Sequence, residues 1–330
     1  MDMNIDGVGE RIDRYLLSYL QEKGYGYVTR SFLKSNWEKG FVLLNGKSVK
    51  PSYKIKEKDN VEILEEKILN TYEIVDPDNI ISEKGSLNIV FEDSNILVLN
   101  KESGISIHPG VGNPSGTIAN FVRGYLEEKG EYDNKLSRAG VVHRLDKAVS
   151  GLVVFAKNKE TQLYLQKQFQ ERKINKIYYA KLQGKELPQI LEDILKIGNV
   201  NIQNEIEKLK SNDFVCDESW YEVSGYISRS SKNRMKMQFS PFSSPSGKNS
   251  VTYLKPLSSN ELLIKIETGR MHQIRATLAY LGLCIKGDTL YESSSGGEIP
   301  QRIELKSVLL NFTNINGKEL LFDLLTNEKK

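Results

Sequence analysis

The residues able to do chemistry gather in three short polar segments. These are SIHPGVGNPSG around His108, VVHRLDKAVSGLVV around His143, Arg144 and Asp146, and ETGRMHQIR around Arg270, His272 and Arg275. They hold all three histidines of the chain. Three histidines with Asp146 or Asp288 as a fourth ligand are suitable atoms for zinc. Their spacing is not suitable: no H-x-x-x-H occurs, and each histidine adjoins an arginine, a proline or a glycine turn. The metal reading is therefore set aside, and neither metal nor cofactor is expected. A single carboxylate such as Asp146 can instead act as a nucleophile, whereas glycoside hydrolysis ordinarily uses two. An aspartate is an anion at neutral pH and needs an opposite charge to remain one when a ligand buries it. On residue types alone, an Asp–Arg pair is a structural salt bridge and a lone histidine a satisfied structural group.

Periodicity and turn residues outline the elements that must position these segments. In RIDRYLLSYLQEKG, Ile12, Tyr15, Leu16, Tyr19 and Leu20 recur at helical spacing, and Gly24 can end the run. TRSFLKSNWEKG predicts a second helix, capped by Thr29 or Ser31 and ended by Gly40. FVLLNGKSVKP predicts a hairpin, because Asn45-Gly46 is the dipeptide a type I′ turn favours, and VEIL predicts another short strand. Residues 68–87, with Pro77 and Gly85 among polar clusters, are expected to be a linker. Beyond it, NIVFEDSNILVLNKESGISIHP alternates apolar and polar residues, as half-buried strands do. VVFAK, IYYAKLQG and LLIKIET then read as strands, and TQLYLQKQFQERK and HQIRATLAYLG as helices, with no regular βαβ repeat. That order predicts an α+β domain on a central mixed, largely antiparallel sheet.

With 330 residues, 39% of them apolar and 27% charged, the chain can build two domains. No stretch approaches the roughly 20 apolar residues that span a bilayer. Two distant cysteines and no visible signal peptide suggest a cytoplasmic protein. The net charge of +3 says little. Its distribution says more: residues 10–58 carry eleven Lys or Arg against five Asp or Glu. A basic N-terminal module on a near-neutral body suits a grip on a polyanion, beside the plainer reading of a solvated lysine-rich surface.

HRLD is near the kinase catalytic loop H-R-D-L-x-x-x-N. A leucine separates Arg144 from Asp146, however, no metal-binding Asn follows at the needed spacing, and no G-x-G-x-x-G-x-V, V-A-I-K or D-F-G appears. The segment instead resembles H-R-L-D-x-x-T-S-G-L of the RluA/RluD group of pseudouridine synthases. EDSNILVLNKESGISIHPGVGNPSGTIANFV is similar to the first catalytic block of that family, KIYYAKLQG to its K-x-Y-x-A-x-V-x-G strand, and GKNSVTYLKPL to its G-K-x-A-x-T-x-Y segment. IETGRMHQIRATLAYLGLCIKGDTLY is similar to its T-G-R-x-H-Q-I-R…G-D-x-x-Y block. These follow in family order over about residues 88–325. In the same way RIDRYL, TRSFLKS, GFVLLNGKSVK and KEKDNVEI together resemble an S4 RNA-binding domain.

The resemblance implies a division into an S4-like domain at 1–67, the linker, and a pseudouridine synthase domain at 88–330. It implies Asp146 as the nucleophile, Arg275 as its charge partner and Tyr178 as the ring stacked on a flipped-out uridine. Arg144 then fills the gap that the nucleotide leaves, with His143, Arg270 and His272 beside the RNA. In the S4-like part, Arg30, Lys34, Lys47 and Lys50 match RNA-facing positions. The physical logic is independent of the family. Uridine becomes pseudouridine when the N1–C1′ bond breaks, the base turns and C5 bonds to C1′, with no water consumed and no redox change. Extracting the base costs a few kcal/mol, and an aromatic ring recovers about 1–3 kcal/mol. Tyr179 should face the other side of the strand from Tyr178.

Val149 stands where relatives usually have Thr, Met271 replaces another Thr and Cys284 a Pro, all next to implied site residues. Residues 185–220 form an insertion that reads as one or two amphipathic helices. The expected substrate is 23S rRNA or a large-subunit precursor particle, acted on by a monomer with no membrane association. The same chemistry on tRNA or another rRNA site, or a silent assembly factor, are the alternatives.

Overall fold

The computed structural model describes residues 8–25, 28, 30–75, 80–110, 113–184, 187, 191–192, 219–291 and 302–325. The insertion expected at 185–220 lies almost wholly outside them. The chain divides into two compact units, residues 1–79 and 80–330.

In the first unit, α1 (Ile12–Glu22) and α2 (Arg30–Ser35) precede β1 (Val42–Leu44), β2 (Lys47–Ser48) and β3 (Val61–Ile63). The strands form an antiparallel sheet in the order β2-β1-β3. Asn45 and Gly46 between β1 and β2 have φ of 52° and 74°, the positive values that a type I′ turn requires. The apolar stripe of α1, with Ile12, Leu16 and Leu20 fully buried, packs on Leu33, Phe41 and Ile55. The indole of Trp37 donates to Val49 O at 2.6 Å, fixing the end of α2 beside the hairpin. α3 (Glu65–Val75) closes the unit. The stretch expected as linker from residue 68 therefore begins as helix, because Ile68 and Thr71 recur one turn apart and are both buried. It also ends in ordered contact, with the Asn120 amide donating to Ile81 O at 2.7 Å.

Among the described residues the second unit is built on one ten-stranded sheet. In chain order its strands are β4 (Ile89–Glu92), β5 (Ile96–Lys101), β6 (Ser150–Ala156), β7 (Asn175–Lys181), β8 (Tyr221–Arg229), β9 (Met237–Ser240), β10 (Lys248–Ser258), β11 (Glu261–Ile266), β12 (Leu305–Thr313) and β13 (Glu319–Asp323). They are ordered β4-β5-β6-β12-β7-β11-β10-β8-β9, with β13 also pairing with β12. Only β6 and β12 pair in parallel; every other pairing of these strands is antiparallel. Helices α4 (Ile118–Glu128), α5 (Lys159–Gln170) and α6 (Gln273–Tyr280) pack on it. Residues of α4 and α6 join Leu97, Leu99, Val153 and Phe155 in one core. Leu165 of α5 joins Ile96, Val98, Leu152 and Val154 in another, on the opposite sheet face. β5 and β6 are thus buried on both faces, not half-buried as the alternation suggested. Covering helices on each side remove the solvated face that alternation presumes.

The parallel pairing of β6 with β12 lasts only two residues, Ser150 and Gly151 against Lys306 and Ser307. Beyond it, β6 pairs with Val141 opposite Phe155 and donates Val154 N–H to His143 Nε2 at 3.0 Å. The segment 141–146 thereby occupies the gap where the two strands part. Gly151 permits this junction: its φ is 110°, and a Cβ there would stand 2.1 Å from Ser307 O.

Candidate active site

A cleft of about 840 Å³ opens over this gap. Its walls come from residues 142–146, the end of α5, Lys176 and Tyr178 of β7, residues 266–275 and Leu305. Five cationic side chains line it (Arg144, Arg172, Lys176, Arg270, Arg275) against two carboxylates, Asp146 and Glu267. That balance suits an anionic ligand.

Asp146 sits in a turn closed by Val149 N–H donating to its carbonyl at 3.0 Å. The loop after β5 clamps this turn. Ser103 Oγ donates to Ala148 O at 2.5 Å and Gly104 N–H to Lys147 O at 2.8 Å. Lys101, 1% exposed, donates to the carbonyls of Glu102, Ile105 and Lys147 at 2.8, 2.9 and 3.2 Å. Burial pushes its ammonium down to about 8, against the pull of the Asp146 charge. Hydrogen bonds to its backbone from Lys101, Ser103 and Gly104 therefore fix the Asp146 turn, while its side chain is 18% exposed.

Arg275 is the cation nearest that carboxylate, but its main partner is another residue. Its Nε and Nη2 bind Asp288 at 2.8 and 2.7 Å in a bidentate pair, while Nη1 is 3.7 Å from Asp146 Oδ2. The expected Asp146–Arg275 pair is therefore a loose approach and not a closed salt bridge, because the planar fork is already committed. Burial lowers the Arg275 pKa, but the Asp288 pairing outweighs it and holds the group above its ordinary value. The Tyr291 ring covers the guanidinium at 5.0 Å. Gly287, at φ 83°, lets the chain pass Arg302 O where a Cβ would meet it at 2.1 Å, and so delivers Asp288.

Tyr178 is 6% exposed and lines the cleft. Burial, reinforced by the Asp146 charge, raises its phenol well above the usual tyrosine range, so it is a protonated donor and ring at neutral pH. Tyr179 faces the other way and donates to Glu261. His272, at φ 52° just before α6, places Nε2 3.9 Å from Asp146 Oδ2 and Nδ1 3.2 Å from Tyr291 Oη. Burial lowers its pKa, with Asp146 opposing. His143 stacks on Phe169 with centroids 4.7 Å apart, and burial drops it to about 3. With its Nε2 accepting from Val154, it is accounted for by internal contacts. Arg144 is exposed, its Nη1 3.4 Å from His108 Nε2, and Arg270 donates to Asn249 O at 2.8 Å. Among the described residues no three His, Cys, Asp or Glu are grouped to hold a metal ion.

The comparisons with known proteins decide the class. Residues 95–280 match the sequence profile of the RNA pseudouridylate synthase family. The chain belongs to that family. An uncharacterized RNA pseudouridine synthase of Chlorobaculum parvum is 32% identical over 298 residues, which is 89% of this chain and 77% of that one. The ribosomal large subunit pseudouridine synthase D of Borreliella burgdorferi is 31% identical over 294 residues, 87% of this chain and 77% of its own. Human RNA pseudouridylate synthase domain containing 1 shares the fold, with a TM-score of 0.51 at 24% identity over 73% of this chain and 85% of that one. The enzyme is thus an isomerase that makes pseudouridine in RNA.

In this pseudouridine synthase the cleft gathers Asp146, Tyr178, Arg275, Arg144, His143, Arg270 and His272. Arg30, Lys34, Lys47 and Lys50 belong to the N-terminal unit. There Lys34, Lys47 and Lys50 are exposed, whereas Arg30 is drawn onto the nearly buried Asp13 at 3.0 Å. Reading the sequence missed Lys101 and Lys176, and it saw Asp288 only as a metal ligand. The G-D-x-x-Y block signalled Asp288 and Tyr291, but nothing local says that they hold Arg275. No helix among the described residues is long and apolar enough to cross a membrane.

Proposed function

We propose that the synthase modifies large-subunit (23S) rRNA, with Asp146 as the nucleophile on a uridine flipped into the cleft. The observation that carries this is the clamped Asp146 turn. It presents one carboxylate to a cationic cleft beside Arg275 at 3.7 Å and the ring of Tyr178. The carboxylate attacks C1′ or the uracil ring, the N1–C1′ bond breaks, the base turns and C5 joins C1′. The bond to Asp146 then breaks to return the carboxylate, and as C5 loses its proton N1 takes one up, so the sum is an isomerisation. Arg275 holds the carboxylate ionised as the base covers it, and Arg144 takes the space that the nucleotide vacates. The rRNA assignment is supported by relatives named ribosomal large subunit pseudouridine synthase D, such as the Borreliella burgdorferi protein. Pseudouridine mapping of total RNA from cells with and without the protein tests it. Sites lost only from the large-subunit rRNA are expected; sites lost only from tRNA would overturn the substrate.

Tyr178 acts in this scheme as a stacking ring. Tyr178→Phe is expected to bind RNA about as tightly as wild type. Tyr178→Ala should lose about 1–3 kcal/mol of stacking. Equal weakening by both variants, in equilibrium binding to RNA carrying the target uridine, would rule stacking out.

The N-terminal unit is the S4-like grip in this reading, supported by exposed Lys34, Lys47 and Lys50 and by the Trp37 tie between α2 and the hairpin. Changing these three lysines to Gln should lower the slope of log affinity against log salt by roughly two to three, at about 0.7–0.9 per phosphate contact. The variant should still fold and still form pseudouridine at saturating enzyme. An unchanged slope would remove RNA contact from this face.

A further inference from the structure

The molecule buries several lysines, and one differs from the rest. Lys101 donates to three carbonyls, and Lys157 is held by Glu92 and Glu131 at 2.7 and 2.5 Å. Lys176 is 9% exposed, yet no acceptor binds its ammonium among the described residues; it lies over the face of Phe169 at 5.7 Å and close enough to His143 for its charge to lower that imidazole's pKa. The end of α5 offers it nothing: the carbonyls of Lys167, Gln168 and Phe169 accept the N–H groups of Glu171, Lys173 and Arg172. A largely buried cation without a counter-charge is costly, and the part of this one that stays accessible lines the cleft. Burial alone pushes Lys176 down to about 8.

Its placement says what would complete it. Lys176 lines the cleft and lies two residues before Tyr178 on β7, so both project from the same strand face about 6.6 Å apart. Arg172 lines the same corner, is exposed, and likewise has no side-chain partner among the described residues. Gln166 and Gln170 add amide donors, and of the two carboxylates lining the cleft, Asp146 faces Arg275 at 3.7 Å and Glu267 accepts from Tyr253. A cation about one nucleotide's length from the stacking ring, with a second lining the same cleft, matches a backbone phosphate. We propose that Lys176 and Arg172 bind a phosphodiester of the substrate RNA next to the nucleotide delivered to Asp146, an inference that rests on the pseudouridine synthase reading of the cleft. The phosphate supplies the anion that Lys176 lacks, so the site is restored to charge balance only when RNA is in place.

Full-length wild type, Lys176→Met and Arg172→Gln are titrated with unmodified large-subunit rRNA over a range of KCl, alongside urea unfolding. Lys176→Met keeps the apolar stem and removes the charge. It is expected to unfold at or above the wild-type midpoint, yet to bind about tenfold more weakly with a salt slope shallower by roughly 0.7–0.9. Arg172→Gln, altered at an exposed side chain, should show a similar loss of slope and decides the matter if Lys176→Met does not fold. Wild-type slopes in both variants overturn the phosphate site. Pseudouridine is measured in the same RNA. If wild type makes none while the variants still lose slope, the substrate reading falls and the phosphate site stands; product with unchanged slopes sinks the phosphate site alone.

Discussion

Replacing Asp146 by Asn is expected to lower pseudouridine formation on the order of 10³-fold or more, as loss of a nucleophile does, with folding and RNA binding near wild type. Asparagine keeps the volume and loses the charge. The fold should tolerate this, since among the described residues the carboxylate makes no ion-pair contact closer than 3.7 Å and the turn that carries it is held by hydrogen bonds to its backbone. RNA binding should also survive, because removing an anion from a cleft lined by five cations cannot weaken its hold on phosphate. The measurements are single-turnover product formation, the urea midpoint and the salt slope of binding. Activity above a few per cent of wild type would remove Asp146 from the nucleophile's place, and a lowered midpoint would make it structural.

Asp288→Ala should be the most destabilising single change at the site. Asp288 has 1% and Arg275 7% of its side chain exposed, and two short hydrogen bonds join them. Removing one member of a buried pair leaves an uncompensated charge and costs about 3–5 kcal/mol. Asp288 also accepts the backbone N–H groups of Leu290 and Tyr291 at 3.2 Å, so the turn carrying the Tyr291 lid loosens with it. Any folded fraction should be catalytically impaired, because a released Arg275 can close on Asp146 and tie up the carboxylate. Asp288 is in this sense a positioning residue. Urea unfolding gives the stability, and the rate per folded molecule gives the positioning. A loss below about 1 kcal/mol, outside the range for broken buried pairs, would mean that the pair is not what holds Arg275.

Much of the site was legible through the family resemblance that short motifs carry. HRLD, KIYYA and GRMHQIR named Asp146, Tyr178 and Arg275, and the cleft brings all three together. The Asn45-Gly46 turn was legible too, because a type I′ geometry is set by two residues and their tolerance of positive φ. Tyr178 and Tyr179 facing opposite ways follows from the pleat. What local pattern misjudged were quantities that depend on distant neighbours. Alternation in β5 suggested a solvated face that two helices cover, and polar residues from 68 onward masked a helix that buries Ile68.

The sequence by itself determined the turn and strand chemistry and carried the family resemblance that implied the candidate groups, since these depend on residue type and short-range order. Tertiary structure alone decided which charge belongs to which. Arg275 chose Asp288 over Asp146, Arg30 chose Asp13, Lys101 found three carbonyls, and Lys176 was left with an aromatic face. Ion pairing and desolvation are set by distance and burial in the folded chain, and neither has a signature in the order of the residues.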